Sequence, residues 1–127
     1  MDLFEYQGKQ FFAQYGMPVS AGEVALTVDE AVDAAERLGT PVMVKAQVHT
    51  GGRGKAGGIK FAATLDDVRT HANDILGLDI RGHVVGRVWI EKASDIADEY
   101  YASFTLDRSA KKHRGMLSAE GGVEIET

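Results

Sequence analysis

The sequence contains no cysteine. That excludes a disulfide framework, a thiolate metal site and a cysteine nucleophile, and it suits a reducing compartment. No stretch approaches the roughly 18 apolar residues that a membrane-spanning helix requires. The first residues, Met1-Asp2-Leu3-Phe4-Glu5-Tyr6-Gln7, lack the basic segment and apolar run of a secretory leader. A cytoplasmic protein without a membrane partner is the expectation. Positive charge is scarce overall, with 14 Lys and Arg against 19 Asp and Glu and a net charge of −5. That balance disfavours a general nucleic-acid surface. Repeats and low-complexity segments are missing too. What is there, 127 residues of which 44% are hydrophobic and 26% charged, suffices for one modest core of ordinary globular composition.

A further lack is local. From Lys45 to Lys60 there is no Asp or Glu, while Lys45, Arg53, Lys55, Lys60 and His49 all fall in that window. Five of the 15 glycines fall there as well: Gly51, Gly52, Gly54, Gly57 and Gly58. A basic, acid-free, side-chain-poor segment in an acidic protein is suited to an anion, because glycine lets backbone N–H groups come close to it.

The flanks define the type of loop. Thr27-Val28-Asp29-Glu30 has the spacing of a capping box and opens a helix that Gly39 closes. Pro41 to Val48 is β-branched and apolar, a buried strand. Ile59 to Ala62 reads as a second strand, and Thr64 caps a helix from Leu65 to about Leu76 that ends at Gly77. The glycine loop therefore joins strand to strand. Gly52-Arg53-Gly54-Lys55-Ala56-Gly57 matches G-x-G-x-x-G, but a dinucleotide fingerprint needs a helix at the third glycine, and a strand follows here. The G-x-x-x-x-G-K-[ST] phosphate loop fails as well, with His49 at its first glycine and Ala56 at its Ser or Thr. A glycine-rich β-hairpin flap over phosphates remains, in the manner of the kinase glycine loop, with Lys45 reaching in from beneath. The plain alternative is a flexible linker with solvated lysines.

Further on, Asp79 to His83 is turn-rich, and Val84 to Ala93 reads as a strand with Glu91 and Lys92 where it leaves the core. Ser94 to Glu99 is a polar connection and the expected boundary. Tyr100 to Asp107 is an alternating strand, Arg108 to Arg114 a basic turn, and Gly115 to Glu120 the returning strand. Gly121 to Thr127 looks like the start of another strand or loop, so a fragment of a longer protein is expected. The first helix spans about Leu3 to Tyr15. The order is a helix, then β-α-β-β-α-β, then a hairpin unit, an α+β (α/β) chain. Residues 18–94 form one subdomain, with 1–17 and 95–127 beginning a second. Glu91 and Glu99 read as carboxylates at the edge of a cleft between the two.

Leu3-Phe4-Glu5-Tyr6-Gln7, Val44-Lys45-Ala46-Gln47-Val48-His49-Thr50-Gly51-Gly52-Arg53-Gly54-Lys55-Ala56-Gly57-Gly58 and Ser118-Ala119-Glu120-Gly121-Gly122-Val123-Glu124-Ile125-Glu126 together resemble the β subunits of ADP-forming succinate–CoA ligases (succinyl-CoA synthetases), which are ATP-grasp proteins. The resemblance runs the whole length of the chain and covers about the first third of a family member. It implies the N-terminal portion of an ATP-grasp fold and a share in the citric acid cycle reaction that interconverts succinate, CoA and ATP with succinyl-CoA, ADP and phosphate. It implies that Lys45, Gly52, Arg53 and Gly54 hold the nucleotide phosphates, that Glu91 and Ser94 lie at the adenine edge, and that Glu99 takes the ribose hydroxyls. It places the phosphorylated histidine on a partner α subunit, so none of His49, His71, His83 and His113 has that role. Mg²⁺ ligands and the CoA and succinate contacts are expected beyond Thr127, with no catalytic and no metal-binding residue before it. Within the class, a malate–CoA ligase β subunit would look alike in this portion. Outside it stand a non-catalytic nucleotide-sensing module and a nucleic-acid binder using Arg53, Lys55 and the Lys111-Lys112-His113-Arg114 tip, which lacks interleaved aromatics.

Overall fold

The structure is a computed structural model that describes residues 2–122. The elements are α1 (Glu5–Gln14), β1 (Gly22–Ala25), α2 (Val28–Leu38), β2 (Val42–Ala46), β3 (Ile59–Ala62), α3 (Leu65–Ile75), β4 (Asp79–Ile80), β5 (His83–Val84), β6 (Val88–Lys92), β7 (Tyr101–Asp107) and β8 (Lys112–Ser118). They fall into two compact units, Met1–Ser94 and Asp95–Thr127. Helix α1 lies in the first unit and makes ion pairs with β2, with β6 and with Arg53 of the loop after β2.

In the first unit four strands form one sheet in the order β1-β6-β2-β3, and every pair is antiparallel. Because side chains alternate along a strand, the sheet has two different faces. Val42, Val44 and Ala46 of β2 and Val88 and Ile90 of β6 point to one of them and are fully buried. Helices α2 and α3 pack on that face. Ala31, Ala34 and Ala35 of α2 are buried there; their short side chains let the helix approach the sheet closely. Register sets the other face: Lys45 pairs with Trp89, Met43 with Glu91, and Glu91 with Gly22.

Both helices on the apolar face are capped as their sequences predict. Thr27 Oγ1 accepts from Glu30 N at 3.1 Å while the Glu30 carboxylate accepts from Leu26 N at 2.7 Å. Thr64 Oγ1 accepts from Asp67 N at 3.1 Å, and Asp67 answers to the backbone N–H groups of Ala63 and Thr64. Gly39 closes α2 at φ +80, a conformation that costs glycine little.

The strand expected from Val84 starts only at Val88. Val84 pairs with Asp79, and Val85 exchanges hydrogen bonds with Gly77 and Leu78 at 2.9 Å each. These residues tie down the end of α3, and the chain joins the main sheet only after Gly86. Among the described residues no helix is long and apolar enough to cross a membrane.

The second unit, as far as it is described, is the hairpin β7–β8, paired from Tyr101↔Ser118 to Asp107↔Lys112. The expected basic turn is shorter than its charge run. Asp107 accepts from Ala110 N at 3.0 Å and Ser109 Oγ at 2.8 Å, which closes the tip within Arg108–Lys111 and lets β8 start at Lys112. Backbone and hydroxyl donors to Asp107, with Arg114 at 2.6 Å, hold its carboxyl below the usual range. Residues 123–127 of the last expected strand or loop lie outside the described residues.

Candidate phosphate-binding site

The glycine-rich segment is a loop between two paired strands, as its flanks predict. Its stem is closed by Ala46 N donating to Gly58 O at 2.7 Å. Inside it, Ala56 N donates to Gly52 O, Gly57 N to Gly54 O and Gly58 N to Arg53 O, at 2.8 to 3.1 Å. Gly52 has φ +77, and a Cβ there would stand 2.9 Å from Arg81 Nη2. Glycine is thus required twice, for the left-handed backbone and for the space the Arg81 guanidinium fills. Gly58 is a packing residue: a Cβ would lie 2.8 Å from Ile80 Cδ1 and 3.1 Å from Ala46 Cβ.

Two of the expected phosphate ligands come together at the root of this loop. Arg53 Nη1 donates to Ala46 O at 2.9 Å, folding the side chain back over the end of β2, and its Nη2 pairs with Glu5. Lys45 Nζ lies 3.0 Å from Glu5 Oε1 and 3.3 Å from Glu91 Oε2, with 14% of its side chain exposed. Lys9, one turn after Glu5 on α1, pairs with the other oxygen of Glu91, which also accepts from Trp89 Nε1 at 3.2 Å. Three cations thus face two carboxylates, an excess of one positive charge within the cluster, and the cavity of about 400 Å³ beside it is lined by a further carboxylate, Asp2, together with Glu5, His49, Thr50, Gly51 and Arg53.

Helix α1 is fixed over this face by its own contacts. Tyr6 N donates to Gln47 Oε1 at 3.0 Å, and the Tyr6 ring stacks on Trp89 at 5.7 Å. Phe4 stacks on His49 at 4.0 Å and lies under Arg87 at 4.9 Å. His49 is thereby held at the loop's entry by an aromatic contact.

The other expected site residues are distributed differently. Glu91, expected as a carboxylate at a cleft edge, is the last but one residue of β6. It is buried, because strand alternation turns it to the face that α1 covers, where it holds Lys45. Ser94, at the end of the first unit, has its hydroxyl 3.4 Å from that of Ser20. Gly54 accepts a loop hydrogen bond through its carbonyl. Glu99 belongs to the second unit, where its backbone O accepts from Gly121 N at 3.1 Å and its carboxylate lies against Gly122. Sequence reasoning missed Glu5, Lys9, Trp89 and Arg81 as members of the site. Its signal was an acid-free window, and the acids that complete the cluster come from about forty residues away along the chain on either side.

Burial alone would raise the Glu5 carboxyl, but Lys45 and Arg53 outweigh it and hold the group below its ordinary 4.5. Glu91 behaves alike: burial raises it, and Lys9 and Lys45 lower it further. A carboxyl whose native value is depressed adds stability that is complete above its unfolded value and is lost as pH falls through the native one. Stability of the intact protein should therefore decline as pH drops below about 4.5, and Glu91→Gln should flatten that decline. Urea midpoints taken from pH 6 down to pH 3 measure it, and an equally steep decline in the variant would count against this assignment.

Among the described residues no group of three or more His, Asp or Glu is placed to hold a metal ion. The donors that are present, guanidinium, ammonium and glycine-rich backbone, suit phosphate oxygens.

A profile of the ATP-grasp domain matches residues 2–127. Among solved structures, the dinucleotide-forming acetyl-coenzyme A synthetase 1 of Ca. Korarchaeum cryptofilum, in complex with coenzyme A, superposes with a TM-score of 0.80 at 23% identity, covering 98% of this chain and 56% of that one. The PH1788 protein of Pyrococcus horikoshii Ot3 gives 0.81 at 22%, over 98% of this chain and 54% of its own. The carboxyaminoimidazole ribonucleotide synthase of Aspergillus clavatus, complexed with ATP, gives 0.62 at 16%, over 87% and 26%. At such identities the likeness speaks for the fold alone, and the chain spans about half the length of the first two structures. With a profile match from residue 2 to residue 127 and a fold shared with all three, the chain belongs to the ATP-grasp domain family.

Proposed function

We propose that this chain is the nucleotide-binding front of the β subunit of a succinate–CoA ligase, in which Lys45, Arg53 and the loop glycines Gly52 and Gly54 grip the phosphates of ATP. The observation that carries the reading is the convergence of Lys45 and Arg53 at the root of a glycine hairpin, beside a cavity of about 400 Å³. A CoA ligase is supported by the Korarchaeum neighbour, an acetyl-coenzyme A synthetase in complex with coenzyme A. Succinate as the acid rests on the motifs around Lys45 and Ser118. In this reading Glu91 reaches the nucleotide through Lys45, Ser94 and Glu99 serve the adenine and ribose, and Mg²⁺ is held by residues after Thr127. The phosphorylated histidine belongs to a partner α subunit. This chain's own contribution is then to bind and orient the phosphates and to place fixed positive charge where negative charge gathers.

The test is calorimetric titration of the intact protein with ATP. Arg53→Ala removes one charge-assisted contact and is expected to weaken binding about ten-fold. Unchanged affinity would remove the loop from the nucleotide site. Thioester formation with succinate against malate, in the presence of the α partner, separates the two ligases.

A further inference from the structure

Resting on the nucleotide reading above, we propose that Glu5 is the positioning residue of the phosphate grip, a carboxylate bridge that holds Lys45 and Arg53 together and aims both at the ligand. The two cations come from different elements, a strand and a loop, and carry like charges that repel each other at short range. Glu5 turns one oxygen to each: Oε1 stands 3.0 Å from Lys45 Nζ and 3.9 Å from Lys9 Nζ as an ion pair without hydrogen-bond geometry, and Oε2 accepts from Arg53 Nη2. Glu91, 3.3 Å from Lys45 Nζ, steadies the ammonium from its other side.

Neither cation is used up by this arrangement. Arg53 has five N–H donors, of which Nη1 serves Ala46 O and Nη2 serves Glu5. Lys45 has three, with Glu5 and Glu91 as its two anionic neighbours. Donors therefore remain for phosphate oxygens, and both Glu5 and Arg53 line the cavity beside the loop.

Glu5 is also fixed in place. It sits in the first turn of α1, where the Gln7 side chain accepts from Phe4 N at 2.9 Å, Tyr6 N donates to Gln47 and the Tyr6 ring stacks on Trp89. The backbone of Glu5 is thus anchored on both sides in sequence, and its carboxylate is held by the ion pairs with Lys45 and Arg53. Lys45 and Arg53 keep it ionised at neutral pH against the effect of burial.

The experiment compares ATP affinity in the intact protein for Glu5→Gln, Glu5→Asp, Arg53→Ala and the double variant E5Q/R53A, with a melting curve for each. Glu5→Gln keeps the shape and removes the charge; it should weaken ATP binding about five- to ten-fold, with Glu5→Asp intermediate. Because Glu5 acts through Arg53 as well as Lys45, the double variant should bind clearly better than the product of the two single losses predicts. ATP binding by Glu5→Gln that equals or exceeds the wild type, or losses that simply multiply, would overturn the inference. Should Glu5→Gln melt below the assay temperature, Glu5→Asp carries the same comparison with Arg53→Ala. If Arg53→Ala itself binds ATP normally, the phosphate-grip reading fails; if only Glu5→Gln is normal, that reading stands and the bridge does not.

Discussion

Gly22→Val is expected to destabilise the protein by on the order of 3 kcal/mol, lowering the thermal midpoint by roughly 10 °C or more. The backbone at Gly22 needs no left-handed conformation; the obstacle is space. A Cβ there would stand 2.2 Å from Trp89 Cζ2 and 2.4 Å from Cε2, a distance at which one of the two must move. Trp89 has nowhere to go: its ring lies against Tyr6 and its Nε1 donates to Glu91. Displacing it would loosen α1 and with it the hold of Glu5 on Lys45 and Arg53, so ATP affinity should fall together with stability. Differential scanning calorimetry with and without ATP tests both parts. A variant melting like the wild type would mean that Trp89 can relocate freely and that the covered face is looser than its contacts indicate.

Lys45→Ala is expected to lower ATP affinity on the order of a hundred-fold and to destabilise the ligand-free protein by about 2 kcal/mol. The larger affinity loss relative to Arg53→Ala follows from its position. Lys45 stands 3.0 and 3.3 Å from the two carboxylates, whereas Lys9, which also reaches both, is 3.9 Å from Glu5, and without Lys45 the pair is left on one covered face with only Arg53 and Lys9 to balance it. The excess positive charge of the cluster disappears at the same time. A removed buried cation leaves its partners short of compensation, which is the costly half of breaking such a pair. Calorimetric titration and urea denaturation give the two numbers. An unchanged dissociation constant would take Lys45 out of the site, and unchanged stability would mean that the carboxylates find water or other partners.

The local rules were legible in the sequence wherever chain neighbours decide the outcome. Thr27 with Glu30 and Thr64 with Asp67 set helix starts within a single turn, and both are made as their spacing predicts. The strand–loop–strand character of Lys45 to Lys60 was legible for the same reason, since β-branched residues and glycines punctuate it directly. Illegible were the outcomes decided across the sheet. Pairing of Val84 with Asp79 delays β6, and nothing in Val84-Val85-Gly86-Arg87 announces it. That Glu91 pairs with Lys9 of α1, some eighty residues earlier, is equally invisible in the residues around it. Lys45 and Arg53 could be picked out as a basic pair, but the carboxylate between them could not, because charge patterning in a window is blind to partners brought in by tertiary packing.

The hydrogen bonds inside the glycine loop bear on the entropy of binding. A glycine-rich segment left free would sample many conformations, and ordering it on a ligand costs roughly 1–2 kcal/mol per residue. Here Gly52 to Gly58 is already tied by three internal backbone bonds, and Arg53 is tied back to Ala46. Folding has therefore met much of that cost before any nucleotide arrives. If the loop holds a nucleotide as proposed, its glycines are spacers in a preformed loop, and the affinity they support owes more to preorganisation than to closure of a mobile lid.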